Sequence, residues 1–182
     1  MKHERKAILY IAMSLDGFIA KTDDDLTFLS RVQEEGQDYG YNEFIKSVDT
    51  VIMGRKTYDW IMKQVREFPH SNLDSYIITR TPRPDINKTK FYTGNFKELL
   101  LNLKKEDGRH IFIDGGAEIV NELLKDNLID EFYISVIPVL LGDGIRLFKN
   151  GLPEQKLRLI SSNHFKTGLV QLHYEFEDNN KV

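Results

Sequence analysis

The sequence predicts an α/β fold: a three-layer sandwich around a mixed, mostly parallel sheet with a C-terminal antiparallel hairpin. Short β-branched and aromatic runs alternate with segments whose apolar residues recur at helical spacing, as in chains that build parallel sheets through crossover helices. Near the C-terminus, the alternating segments Leu157–Phe165 and Leu169–Phe176 flank Lys-Thr-Gly, which predicts a hairpin at one edge of the sheet.

The individual elements follow from the pattern of apolar residues in chain order. Apolar runs predict strands at Ala7–Met13, Thr50–Met53, Ser75–Thr79, Lys90–Thr93, 111–113 and Asp130–Leu141, the last broken by Pro138. Helical spacing predicts helices at Tyr39–Val48, from Gly54 to about Gln64, at Phe96–Lys105 and from 117 onwards. Polar residues at Lys21–Asp25 and the prolines Pro82 and Pro84 indicate loops.

Composition limits the classes of function. With 182 residues and no repeat or linker, we expect one domain over residues 1–182. The net charge of −3 gives no electrostatic support for a nucleic-acid or membrane partner. The absence of cysteine excludes disulfides and thiol catalysis, and the five histidines show no metal-ligand spacing, so we predict no metal.

The N-terminal segment favours a cytoplasmic location. Its basic residues lead into only about seven apolar residues before Ser14 and Asp16, too few for a membrane span. The small-residue cleavage site of a signal peptide is also missing. We therefore expect a cytoplasmic protein.

The most informative junction lies at Gly115 and Gly116, between an apolar run and a helical pattern. Two glycines remove both Cβ atoms where backbone N–H groups begin a helix, so an anion such as a phosphate could approach closely. Glu118 and Glu122 follow early in the helical segment, where acidic side chains suit a helix N-terminus. A tight strand-to-helix turn without any ligand would explain the same pattern.

Two further strands end in groups that suit an anion. Gly54 is followed by Arg55, Lys56 and Thr57, which offer a bidentate cation, a point charge and a hydroxyl. The strand at 75–79 ends in Thr79-Arg80-Thr81. Because ligands of α/β sheets bind beyond the carboxyl ends of the strands, three such ends suggest one extended ligand with several phosphates. Solvated surface charge is the alternative for each cation taken alone.

Three blocks of the chain resemble the dihydrofolate reductase fold family. They read Ile-Ala-Met-Ser-Leu-Asp-Gly-Phe-Ile-Ala, Met-Gly-Arg-Lys-Thr-Tyr and Ile-Asp-Gly-Gly-Ala-Glu-Ile-Val. The segment from Asn127 to Gly144 is similar to the reductase domain of bacterial riboflavin biosynthesis and its stand-alone relatives. The resemblance runs from about Ala7 to Phe176, with the blocks in matching order.

The resemblance implies NADPH as cofactor and assigns its contacts. It implies a cis peptide between Gly115 and Gly116, and a loop from Ser14 to about Phe28 that covers the nicotinamide, with Gly17 as a hinge. The pyrophosphate would face Gly116, Ala117, Glu118 and Ile119. The adenosine-side phosphates would lie beside Gly54, Arg55, Lys56 and Thr57, and the 2′-phosphate beside Thr79 and Arg80. The main chain of Ala12 and Ile19 would hold the nicotinamide carboxamide.

Three carboxylates are candidate proton donors for the hydride transfer that such a cofactor supports. Asp114 directly precedes the two glycines, Asp16 follows the first strand, and Asp38 matches the folate-binding carboxylate by spacing alone. Each has a structural alternative: Asp114 as a helix cap, Asp16 as a turn former with Gly17, and Asp38 as a solvated charge at a helix start.

The resemblance implies an NADPH-dependent reductase of a C=N or C=O in a small pyrimidine-, pteridine- or sugar-linked substrate. The activity would be similar to that of 5-amino-6-(5-phosphoribosylamino)uracil reductase, whose substrate phosphate would need cations such as Lys21, Arg31 or Arg146. The alternative is an NADPH-binding protein of the same fold without efficient catalysis. The run Asp130–Leu141 and the terminal hairpin are candidate surfaces for a homodimer.

Overall fold

The computed structural model describes residues 5–177, which form ten strands and four α-helices. The strands are β1 (Ala7–Ser14), β2 (Phe18–Ala20), β3 (Val48–Gly54), β4 (Asp74–Ile78), β5 (Thr89–Tyr92), β6 (His110–Gly115), β7 (Glu131–Ile137), β8 (Ile145–Arg146), β9 (Leu157–His164) and β10 (Val170–Phe176). The helices are α1 (Tyr41–Lys46), α2 (Arg55–Gln64), α3 (Phe96–Leu103) and α4 (Ala117–Leu124). Two 3-10 turns, 22–24 and 27–32, lie between β2 and α1.

Eight strands form one sheet in the order β5-β4-β3-β6-β1-β7-β10-β9. The six from β5 to β7 run parallel, whereas β10 runs antiparallel to both β7 and β9. The short strands β2 and β8 pair separately. The predicted mixed, mostly parallel sheet with a C-terminal hairpin is therefore confirmed.

Helices cover both faces of the sheet because successive strand residues alternate between two apolar clusters. Ile52 packs with α3 and α4 on one face, where Leu100 and Val120 are fully buried. Val51 packs on the opposite face with Phe44 of α1 and with Tyr58 of α2. The result is the expected three-layer arrangement.

Several boundaries differ from the sequence prediction. The helix predicted from Tyr39 begins only at Tyr41, because Tyr39 and Gly40 both have positive φ, at 56° and 86°. The run Asp130–Leu141 ends as a strand at Ile137, just before Pro138. Strand β7 offers no free edge to a second copy, because it pairs with β1 on one side and with β10 on the other. A dimer surface elsewhere on this run stays a prediction. Within residues 5–177, no helix is long and apolar enough to cross a membrane.

Candidate functional site

The three glycine- and threonine-containing junctions meet at one edge of the sheet. Strand β3 pairs with β6 so that Met53 faces Gly115, and with β4 so that Gly54 faces Ile78, the residue before Thr79. A Cβ atom added to Gly54 would lie 3.8 Å from the backbone nitrogen of Gly116. The carboxyl ends of parallel strands are the usual ligand edge of an α/β sheet.

Both helices at this edge start at a glycine. Gly54 caps α2 and Gly116 caps α4, and neither supplies a side-chain acceptor to the N–H groups of the first turn. Those N–H groups carry the positive end of each helix dipole, which suits a bound anion. The peptide between Gly115 and Gly116 is cis, as the family resemblance implied. The Thr57 side chain lies close to this turn, because a Cβ atom added to Gly116 would lie 3.2 Å from Thr57 Oγ1.

Two cations beside this edge, Arg55 and Arg83, share the carboxylate of Asp59. Arg55 donates to Asp59 at 2.7 Å, and Arg83 donates to both oxygens of the same carboxylate at 2.6 and 3.0 Å. The Arg83 hydrogen bond and the nearby Arg55 hold the pKa of Asp59 below its usual value. Lys56 extends into solvent. Sequence reasoning found Arg55 and Lys56 but missed Arg83, which lies in the Pro82–Pro84 loop.

The third junction places one residue inside and one outside. Thr79 is buried, and its hydroxyl bonds to the backbone of Thr81. Arg80 is exposed and lines a cavity of about 350 Å³ together with Glu118 of α4. The cavity also has basic walls from Lys125 and Lys149.

The sheet opens between β1 and β6 beside the two glycines. Strand β1 pairs with β6 only over Ala7–Leu9, whereas it pairs with β7 as far as Ser14. Ala12 lies in this open part and also lines a cavity on the α1–α2 face. Ile19, on β2, packs instead against the cluster on the α3–α4 face. The structure thus brings Ala12 to the opening, and it places Ile19 on the strand that borders the loop after β1.

This cavity, of about 560 Å³, lies on the α1–α2 face at the carboxyl ends of β1 and β7, and is called the β1–β7 cavity. Its volume is within the range of small-molecule sites. Apolar walls come from Leu29, Val32 and Leu169. Tyr10 and Ser135 add hydroxyl groups from β1 and β7.

A buried glutamine organises the polar groups of this cavity. Nε2 of Gln171 on β10 lies within hydrogen-bond distance of three acceptors, Tyr10 Oη at 2.9 Å, the Tyr39 carbonyl at 3.1 Å and Ser135 Oγ at 3.2 Å, which share its two hydrogens. Burial raises the pKa of Tyr10, so its phenol is neutral at physiological pH. Tyr10 Oη in turn donates to the Tyr39 carbonyl at 2.9 Å.

Asp16 and Asp38 are both engaged by backbone donors. Asp16 accepts from Ser14 Oγ, Leu141 N and Gly142 N, and these bonds lower its pKa to about 2. Asp38 lines the β1–β7 cavity. Its carboxylate accepts hydrogen bonds from Asn42 N and Gly40 N at the start of α1, and these bonds lower its pKa. Both groups are therefore ionised at neutral pH and hold loops in place.

Asp114 has a different environment. It lies one residue before the cis peptide, on the sheet face that carries Phe112, and Oδ2 is 3.5 Å from Nε2 of the buried His70. Burial and the charge of Asp114 both raise the pKa of Tyr41. The Tyr41 ring lies 5.7 Å from that of Tyr10, which lines the β1–β7 cavity. Asp114 itself is not among the residues that line this cavity.

With this geometry in place, the similarity to known proteins is specific. Residues 5–171 match the RibD C-terminal domain. The chain belongs to this family. YwjB of Bacillus subtilis is 44% identical over 172 residues, which cover 94% of this chain and 98% of the relative. The family is one of reductases, and the chain has a reductase-like fold.

Two solved structures extend the similarity of this RibD C-terminal domain protein. A Shewanella sp. PV-4 protein whose name assigns it to riboflavin biosynthesis superposes with a TM-score of 0.86 at 29% identity, over 95% of this chain and 99% of that one. Dihydrofolate reductase from Enterococcus faecalis, solved with NADP(H), gives a TM-score of 0.64 at 16% identity, over 96% and 98% of the two chains. The second likeness shows the shared fold.

The cations proposed for a substrate phosphate lie elsewhere in this RibD C-terminal domain protein. Lys21 is 3.0 Å from Asp25 and donates to Thr27. Arg146 stacks over the Phe18 ring at 4.5 Å and donates to the backbone. The β1–β7 cavity is lined by none of the three cations Lys21, Arg31 and Arg146. Within residues 5–177, no group of three His, Cys, Asp or Glu side chains is placed to hold a metal ion.

Sequence reasoning missed the residues that act through distant parts of the chain. His70 lies in the irregular segment before β4, and Gln171 in the last strand, 161 positions from Tyr10. A lone histidine and a strand glutamine carry no motif. The only available signal was that both are polar residues beside apolar runs, which is common on protein surfaces.

Proposed function

We propose that this protein is a cytoplasmic, NADPH-dependent reductase that delivers hydride to a C=N or C=O carbon of a small pyrimidine-, pteridine- or sugar-linked substrate. One observation carries the proposal: two glycine-capped helix starts and the Thr79–Arg80 strand end meet at one sheet edge, beside an opening that leads to a cavity of about 560 Å³. Membership of the reductase family supports the same conclusion.

The residues at the edge fit a dinucleotide. The first turns of α2 and α4 present N–H donors without a side-chain cap, and the glycines leave room for phosphate oxygens to approach the backbone. Arg55, Lys56 and Arg80 would face the adenosine-side phosphates. No acidic residue occupies positions 79–81, where a carboxylate would favour an unphosphorylated ribose.

NADPH, when bound, supplies the hydride; the chain positions the substrate and handles the proton. The β1 edge around Ala12 borders both the opening in the sheet and the cavity, so a ring held there would face a substrate in the cavity. Asp114 is the proton donor that we propose, because it directly precedes the two glycines, whereas Asp16 and Asp38 accept hydrogen bonds from loop and helix backbone. His70 would position the Asp114 carboxylate.

An NADPH-binding protein without efficient turnover is the competing function. Titration of NADPH tests the part that both share: we expect binding, weakened in Arg55→Ala, and an absence of binding would refute both. Steady-state oxidation of NADPH with aminouracil and dihydropteridine substrates then separates them. Reduction that is lost in Asp114→Asn would support the enzyme, whereas tight NADPH binding without reduction of any substrate would support the binding protein.

We also propose a homodimer formed through the terminal hairpin. Strand β9 is the last strand of the sheet, and all eight of its residues are exposed. Leu159 and Ile160 expose 49% and 41% of their surfaces. Exposed apolar side chains are unusual on an edge strand of a monomer, because they favour pairing with another chain. A second β9 could pair with it antiparallel about a two-fold axis. Light scattering should report a dimer that Ile160→Lys dissociates, and a monomeric wild type would refute the proposal.

A further inference from the structure

The charged residues that line the β1–β7 cavity limit the substrates that it can bind. Three carboxylates line it, those of Glu34, Glu35 and Asp38, and its described lining contains no lysine, arginine or histidine. Glu34 and Glu35 are exposed at the rim, in the segment that follows the second 3-10 turn. A ligand entering the cavity therefore meets a negative field.

Two cations, Arg31 and Lys166, adjoin residues of this cavity but lie outside its lining. Arg31 precedes Val32 of the wall, and Lys166 lies in the turn beside Tyr39, whose hydroxyl contacts Thr167 at 3.0 Å. Both basic side chains are exposed and lie outside the cavity lining. The arginines around Asp59 belong to the cofactor edge.

The inner part of the cavity offers a few oriented hydrogen bonds among apolar walls. Gln171 donates to Tyr10 Oη and Ser135 Oγ, and Tyr10 donates onward to the Tyr39 carbonyl. Ser135 is thereby left with its hydroxyl hydrogen to offer to an acceptor in the cavity. Apolar walls with a small number of polar groups suit an uncharged ring system.

We propose that this cavity binds an uncharged or cationic planar heterocycle that carries neither a phosphate nor a carboxylate. This inference rests on the proposed reductase function and narrows its substrate class. Within the pyrimidine and pteridine compounds considered above, the carboxylates favour the free base or nucleoside over the nucleotide. An anionic tail would have to pass Glu34 and Glu35 without any cation in the lining to receive it.

A pair of ligands that differ in one phosphate tests this proposal. Binding of a ribosylaminouracil and of its 5′-phosphate is measured by calorimetry at low salt, with and without saturating NADPH. We expect the nucleoside to bind at least about tenfold more tightly than the phosphate, with the difference shrinking as salt is added. Equal or tighter binding of the phosphate, or no binding of either ligand, would overturn the proposal.

A charge-reversed variant makes the cause specific. Glu34→Lys combined with Glu35→Lys should raise the affinity for the 5′-phosphate by about tenfold or more relative to the affinity for the nucleoside. Glu154→Lys, a change of an exposed glutamate outside the cavity lining, serves as control and should change neither. A phosphate affinity that does not respond to the double variant would contradict the proposal.

The same experiment separates this inference from the proposed function. If NADPH does not bind, the reductase proposal fails, but the comparison of the two ligands without cofactor still decides the cavity's preference. If NADPH binds and the phosphate is preferred, the cofactor assignment stands and the substrate class proposed here is wrong.

Discussion

Gly116→Ala is the most direct test of the cofactor edge. The φ of Gly116 is −67°, an ordinary value for alanine, so the backbone accommodates the change. The added Cβ would lie 3.2 Å from Thr57 Oγ1, in the space between the starts of α2 and α4. Loss of one charge-assisted hydrogen bond to a phosphate costs about 1.5–3 kcal/mol, which corresponds to a rise in the Kd of NADPH of about 10- to 150-fold.

Fluorescence titration of NADPH measures this change, and thermal unfolding checks that the variant is folded. Glu154→Ala is the control, because Glu154 is exposed and lies outside the lining of both cavities. A double-mutant cycle with Thr57→Ala tells whether the methyl group acts by displacing Thr57 or by blocking the ligand itself. An unchanged Kd in Gly116→Ala would refute a phosphate site between the two helix starts.

Four further predictions concern ionisable groups. Asp114→Asn should lower kcat by about 10²- to 10⁴-fold with little change in the Kd of NADPH. His70→Asn should also lower kcat, because Asp114 loses the side chain 3.5 Å from its carboxylate; an unchanged kcat would leave His70 a packing residue. Asp16→Asn should leave the shape of the pH–rate profile above about pH 4 unchanged, because the native group is already ionised there with a pKa of about 2. Hydrogen bonds from Arg109, Thr50 and Arg5 outweigh the effect of burial and lower the pKa of Asp49. The ionised carboxylate therefore stabilises the fold above its unfolded pKa of about 4, and this contribution is lost as the pH falls through the folded pKa. Acid unfolding followed by circular dichroism should therefore be steeper in the wild type than in Asp49→Asn.

The meeting of the three junctions at one edge of the sheet could be predicted from sequence because its signals are local. Each of the three junctions combines a strand with the first residues after it, and a glycine or threonine in that position is visible without any tertiary contact. The rule that parallel strands end at one edge then brings Gly54, Gly116 and Thr79 together. The register of Gly54 with Ile78 and of Met53 with Gly115 confirms this reasoning.

The substrate side could not be predicted in the same way, because it is assembled from distant segments. The pair formed by His70 and Asp114 and the contact of Gln171 with Tyr10 both depend on packing between elements far apart in the chain. Local pattern was also misleading for the helix predicted from Tyr39, where the positive φ of Tyr39 and Gly40 delays the start. Neither residue type reveals such a conformation by itself, although glycine permits it.

The net charge of −3 hides a separation of charge that bears on both proposals. Basic side chains, among them Arg55, Lys56 and Arg80, gather at the edge where phosphates would bind, whereas Glu34 and Glu35 line the cavity. A single ligand with phosphates at both ends would be repelled at one of them. Two ligands of different charge, an anionic cofactor and an uncharged substrate, satisfy both fields at once. The affinity for NADPH should therefore fall as salt is added, while that for an uncharged substrate stays nearly constant.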